Sequence, residues 1–296
     1  MIEVPNTKEK RLKRVQHYID RMPSLSTTVT KVLEICNNPA TSPNDLNRVI
    51  SLDPVLTGRV LKLINSAYYS LPNQITSLTR AIIMLGLNTV KDLALSTAVL
   101  ESVGGKDSFH ALDMDNFWTH SIGVGVTAKS LAAIKGVPVR EREAYFVAGL
   151  LHDLGKIPLN NCFSEEYRQV LESAKSRQDT LHQTEHRMFE IDHCLVGGMI
   201  AEKWRLSEAM GDSLCHHHHP EAAKNENRPL ISIVALANNH ANIFEIGSSG
   251  DAFPDVLMTT HLLEQVGVTE STLSDLRESV LDAIEKAKIF LQVIKK

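Results

Sequence analysis

The sequence predicts an all-α protein. Apolar residues recur at helical spacing along the chain, and no run alternates apolar and polar residues as a half-buried strand would. Residues that cap helices stand where several of these periodic runs begin. Over 28–35, Val29, Val32 and Leu33, continued by Cys36, trace one helical face. Ser42-Pro43-Asn44-Asp45 predicts a helix start: serine caps, proline suits the first turn, and the carboxylate favours the positive end of the dipole. Asp53-Pro54 opens the next helix in the same way, with Val55, Leu56, Val60, Leu61 and Ile64 as its apolar face. Ile82, Ile83 and Leu85 run to Gly86, a helix stop. A helix over 88–99 follows, with Val90, Leu93, Ala94 and Ala98 inward.

Gly104-Gly105-Lys106-Asp107-Ser108 predicts a linker. A second block begins near Asp113. Gly247-Ser248-Ser249-Gly250-Asp251 predicts a surface loop, and a long amphipathic helix is expected from Ser271 to Ile294. Ser271 or Thr272 would cap that helix, and Lys295 and Lys296 complement its dipole at the far end. The expected organisation is an N-terminal helical lobe over 1–105, a helical core over 113–245, and a loop with a helical cover over 246–296. The sequence carries neither an internal repeat nor a low-complexity tract.

The 296 residues are 43% hydrophobic and 22% charged, an ordinary globular balance. A net charge of −4 supplies no basic field to draw nucleic acid or anionic lipid. The longest apolar runs, such as 230–237, fall far below the roughly 18 residues of a membrane span. The N-terminus has no apolar signal-peptide core. A cytoplasmic chain without nucleic-acid or membrane partners is therefore expected. Cys36, Cys162, Cys194 and Cys215 form no C-x-x-C pair and read as reduced thiols. Cys194 and Cys215 each neighbour a histidine, but both lie on apolar helical patterns that favour a buried thiol over a metal ligand.

Chemistry gathers around Gly149-Leu150-Leu151-His152-Asp153-Leu154-Gly155-Lys156. His152 and Asp153 follow the apolar run 145–151, where charge is expensive unless paired or bound to metal. Gly155 reads as the end of that helix. Lys156 reads equally as a phosphate contact or as a solvated surface cation. His120 shares a helical face with Val124, Thr127 and Leu131, so it is expected to be buried. There it is either a satisfied core histidine or a ligand. His193 opens a helix over 195–204, where a neutral, ligating imidazole suits the dipole. His216 to His219 ends the next helix before Pro220, and four histidines exceed what capping needs. Imidazole and carboxylate are the usual ligands of zinc, iron or manganese, and a bridging aspartate can serve two such ions. Convergence of His120, His152, Asp153, His193, His217 and His218 on one pocket is expected. His182, His186, His240 and His261 read as surface or structural, and the basic run 8–14 as a solvated helix face. No Gly-rich phosphate loop, Ser-His-Asp arrangement or zinc-finger spacing is present.

The order His120, His152-Asp153, His193, His217-His218 resembles the HD phosphohydrolase superfamily. The chain resembles its HDOD subgroup, the HD-related output domain of bacterial signalling proteins, more closely. In the N-terminal half the resemblance is carried by Met22-Pro23-Ser24-Leu25, Asp53-Pro54, Asn65-Ser66-Ala67 and Leu85-Gly86. In the second half it is carried by Phe117-Trp118-Thr119-His120, His152-Asp153, Asp192-His193, Trp204-Arg205-Leu206 and His217-His218-His219-Pro220. It implies one or two transition-metal ions (iron, manganese or zinc). His152 and Asp153 would be central, His120 would complete one site, and His193, His217 and His218 the other. Active HD enzymes end the site with an aspartate; the matching position here is Asn238, a neutral and weaker ligand. The His120 side should therefore hold metal less well. The Gly-Tyr-Pro triplet of the cyclic-di-GMP phosphodiesterase branch is also missing after His218. The resemblance thus implies an output module without efficient catalysis, often joined to receiver or GGDEF domains. Its partner would be a signalling protein or a nucleotide ligand. The alternative is a metal-dependent phosphohydrolase of nucleotides or cyclic dinucleotides, with His152, Asp153 and Lys156 as its catalytic residues.

Overall fold

Every regular element is a helix in the computed structural model, which describes residues 7–36, 38, 40–103 and 111–294. Helix α1 (Thr7–Arg21) is followed by α2 (Thr27–Cys36), α3 (Pro43–Ile50) and α4 (Pro54–Ile64). The Ser42 hydroxyl accepts from the Asp45 amide and Asp45 reciprocates, which closes a capping box at the start of α3. Asp53 caps α4 through the Leu56 amide. Helix α5 (Leu78–Leu85) ends at Gly86, whose φ of +91° stops it. Helix α6 (Leu87–Val103) buries Val90, Leu93, Ala94 and Ala98. The predicted Gly104-Gly105 linker lies outside the described residues.

Helix α7 (Met114–Ile134), capped by Asp113, is the axis of the second half. It is packed by α8 (Arg142–Leu151), α14 (Arg228–Ile243) and α16 (Glu270–Ala287), and it buries Phe117 through Ala128 except Thr119. A helix covered on all sides needs little amphipathicity, and this one shows little. Helices α7 and α8 cross at glycines: a Cβ on Gly149 would lie 2.8 Å from Gly125 Cα. That close crossing lets His120 on α7 meet His152 just beyond α8. After α8 in the chain come α9 (Lys156–Cys162), α10 (Ser164–Arg177), α11 (Leu181–Phe189), α12 (His193–Trp204) and α13 (Glu208–His216). Helix α15 (Val256–Val266) lies against α14. No single helix among the described residues is long and apolar enough to cross a membrane.

Three local expectations are corrected. The basic run 8–14 is not wholly solvated. Arg11 donates to the Phe189 carbonyl and stacks on the Phe189 ring, and Arg14 stacks on Phe163, so α1 is held on the core. The last long helix starts at Glu270, with Thr269 as its cap and Thr272 reciprocating. It stops at Ala287, and α17 (Ile289–Ile294) turns onto α4 and α6. The turn carries Phe290 into a ring cluster, with centroids 4.7 Å from Phe146 and 5.6 Å from Tyr68. Residues Lys295 and Lys296 lie outside the described residues. The 247–251 loop is not a plain surface loop: Ser249 is fully buried.

A buried acid on α6 gives a stability test. Asp92 is 2% exposed, and burial pushes its carboxyl up to about 6 against only a 3.5 Å contact with Lys91. An acid whose folded value lies above its unfolded one costs stability once ionised. The cost is absent below its unfolded value and complete above its folded one. Asp92→Asn is therefore expected to raise stability near neutral pH by up to about 3 kcal/mol and to change little near pH 4. Urea midpoints of variant and wild type at the two pH values check this. An equal shift at both would refute it.

Candidate metal centre

The turn after α8 places His152 and Asp153 in the interior, both fully buried. His152 Nδ1 donates to the Gly149 carbonyl at 2.7 Å, and its Nε2 has no hydrogen-bond partner. His193 is the first residue of α12, which Asp192 caps through the Leu195 amide. Its Nδ1 and its backbone N–H both donate to Glu185 Oε2, at 2.6 and 2.9 Å. Tyr167 donates to the other oxygen of Glu185 at 2.6 Å, so the carboxylate is rigidly placed. His217 Nδ1 donates to the Ser213 carbonyl at 2.9 Å. Each bond fixes a tautomer and aims Nε2 inward.

Four donor atoms meet there. His193 Nε2 lies 3.2 Å from His217 Nε2 and 3.1 Å from His218 Nε2. Asp153 Oδ1 lies 3.4 Å from His193 Nε2 and 3.6 Å from His217 Nε2. Ligands about 2.05 Å from a tetrahedral zinc ion are about 3.3 Å apart, so these spacings match four of the six edges around such an ion. Burial lowers His217 to about 3 and, with the neighbouring imidazoles, holds His218 well below its ordinary value. Burial opposes charge on His193 too, but Glu185 outweighs it and raises that histidine well above its ordinary value. Without a metal ion, one proton on His193 keeps three ring nitrogens from facing one another lone pair to lone pair. A metal ion would displace that proton. The buried Cys194 thiol, raised by burial, lies 3.9 Å from His217 Nδ1.

The opposite side of Asp153 is built differently. His120 Nε2 donates to Asn238 Oδ1 at 3.0 Å, and its Nδ1 has no partner. Burial and then His152 lower His120 to about 4. Asp153 Oδ2 lies 3.3 Å from His152 Nε2 and 3.9 Å from His120 Nε2. Lys156 Nζ stands 2.9 Å from the same oxygen, as an ion pair. Burial works to raise Asp153, but His152 and Lys156 hold it well below the carboxylate range. The six expected residues and Asn238 thus line one interior site. Lys156 is there too, but fully buried, neither solvated nor at an open surface.

Gly155 does not end a helix. Its φ of −63° is helical and leads into α9. A Cβ on it would lie 1.9 Å from the His193 carbonyl oxygen, so glycine lets the His152-Asp153 turn touch the start of α12.

Sequence reasoning missed Glu185, Ser249, Asp251 and His182. Glu185 shares the inner face of α11 with Leu181 and Phe189, and a carboxylate on such a face was the available signal. His182, read as surface or structural, stacks on His218 at 4.6 Å and 20°. It lines a groove of about 840 Å³ with His186, Asp192, His218, Asp255 and Met258. Burial lowers His182 to about 4, so its imidazole is neutral. Among the described residues the groove lining contains no lysine or arginine. Glu185→Gln is expected to weaken zinc binding by about 10- to 100-fold, because the neutral amide orients His193 less firmly and no longer raises its basicity. Titration against a chelator of known affinity measures this, and unchanged affinity would remove Glu185 from the site.

An uncharacterized protein of Treponema pallidum (strain Nichols) is 25% identical over 280 residues, covering 94% of this chain and 53% of that protein. The chain therefore spans about half the length of that relative. Three solved structures share the fold. An HDOD domain protein of unknown function from Geobacter sulfurreducens has a TM-score of 0.74 at 26% identity, over 95% of this chain and 97% of that one. A candidate phosphohydrolase from Shewanella amazonensis SB2B has a TM-score of 0.68 at 20% identity, over 95% and 98%. A candidate signal transduction protein from Marinobacter aquaeolei VT8 has a TM-score of 0.74 at 18% identity, over 98% and 67%. The model of the HDOD domain matches residues 22–220, two thirds of the chain, across both the N-terminal helices and the histidine site. This chain belongs to the HDOD domain family.

Proposed function

We propose that the chain is a signalling output module that holds one transition-metal ion and lacks efficient hydrolytic turnover. The observation that carries the reading is the spacing of His193, His217, His218 and Asp153 Oδ1, 3.1–3.6 Å along four edges. Three imidazoles and one carboxylate, with four of their six spacings near those around a tetrahedral ion, suit zinc. A bound ion would supply a Lewis acid, and the rest of the site does little to use it. Asn238 brings no charge, and Lys156 is committed to Asp153 and Asp251. The groove beside His218 carries Asp192, Glu202 and Asp255 and neither lysine nor arginine, which disfavours phosphate-bearing ligands. A signalling protein partner is therefore favoured over a nucleotide. A phosphohydrolase is the second reading. It is favoured by the unpartnered His152 Nε2 beside Asp153 and by the name of the Shewanella protein.

Elemental analysis of protein purified without chelator is expected to find one metal ion per chain. Turnover assays with manganese or iron on cyclic di-GMP, nucleoside triphosphates and simple phosphate esters are expected to stay at background. Robust hydrolysis, lost in both His152→Ala and Asp153→Ala, would overturn the module and establish the enzyme.

A further inference from the structure

The Lys156 ammonium has three N–H donors and three oxygens around it. Asp153 Oδ2 lies at 2.9 Å, Asp251 Oδ2 at 2.8 Å and Ser249 Oγ at 3.0 Å. Lys156 and Ser249 are fully buried, and the Asp251 side chain is 3% exposed. Ser249 and Asp251 arrive on a loop tied down at both ends. The Ser248 amide donates to the Asn116 carbonyl of α7, and Asp251 Oδ1 accepts from the Leu181 amide at the start of α11. The loop thus delivers a second carboxylate to the side of Asp153 that faces His152 and His120. Asn238 cannot supply that charge. Two buried carboxylates this close stay ionised together only with a cation between them.

We infer that Lys156 is a built-in cation that takes the place of a second metal ion, with Asp251 as its anchor. The inference rests on the single-ion reading of the His193 side and explains why the His120 side needs no ion of its own. It also assigns Lys156 a role other than contact with substrate phosphate. Without the ammonium, Asp153 Oδ2, Asp251 Oδ2 and His152 Nε2 would surround an uncompensated negative site. Carboxylate oxygen and imidazole are the donors that a divalent transition metal accepts. Asp251 would then stand in for the carboxylate that Asn238 replaces.

The test is metal stoichiometry in the full chain. Wild type, Lys156→Met and Lys156→Gln are equilibrated with manganese or zinc, passed through gel filtration and analysed for metal. Methionine preserves the packing of the lysine stem, and glutamine keeps a polar group there without the charge, so either folded variant carries the test. The expected result is one ion per chain in wild type and two in the variants. One ion in a variant that melts cooperatively overturns the inference, as do two ions in wild type. No ion in wild type with one in the variant would end the single-ion reading of the His193 side and leave the role of Lys156 standing.

Discussion

Asp153→Ala is expected to strip the chain of its metal ion. The Asp153 carboxylate presents one oxygen to each half of the site. Oδ1 faces His193 and His217 at 3.4 and 3.6 Å, and Oδ2 faces His152 and Lys156 at 3.3 and 2.9 Å. Its loss leaves three neutral imidazoles to hold a dication, and affinity should fall about a thousandfold, or about 4 kcal/mol. The variant should still fold. Lys156 keeps its ion pair with Asp251 and its bond to Ser249, so no charge is orphaned. Metal-free wild type and variant should therefore both melt cooperatively. Only wild type should gain melting temperature as zinc is added, because stabilisation by a ligand follows its concentration relative to Kd. An undiminished zinc-dependent rise in Asp153→Ala would place the ion elsewhere.

Gly155→Ala is expected to damage stability and metal binding together. The φ of −63° and ψ of −19° at Gly155 suit alanine well, so backbone strain is not the issue. The obstacle is packing. The added Cβ would lie 1.9 Å from the His193 carbonyl oxygen and 2.7 Å from the Gly197 amide nitrogen. Both are backbone atoms of α12 and cannot rotate aside. The α8–α9 turn and α12 must part, at a cost of about 3 kcal/mol or more. Parting them also draws His193 away from Asp153. A urea midpoint well below wild type and a parallel loss of zinc affinity are the expected pair of results. A wild-type midpoint would show that the contact is looser than this structure has it.

Local chemistry determined the all-α class, the caps at Ser42 and Asp53, the stop at Gly86 and the burial of His120. A cap acts within four residues and an apolar face repeats every turn, so each can be seen in a short window. The same logic pointed to His152, Asp153, His193, His217 and His218, polar residues set on or at the ends of apolar helices. It misjudged the 247–251 loop, because turn-forming residues look alike whether the loop is solvated or covered by neighbouring helices. It missed the break after Ala287, which is set by room for Phe290 beside Tyr68 and Phe146. It left Lys156 open between phosphate contact and surface cation, because its anchor Asp251 is 95 residues away. Sequence by itself therefore determined which helices form and which residues could bear the chemistry. Only tertiary structure decided that Glu185 orients His193, that Asn238 engages His120, and that Lys156 and Asp251 neutralise the far side of Asp153. Those are long-range contacts in a low-dielectric interior, where a charge is defined by the groups packed against it and not by its neighbours in the chain.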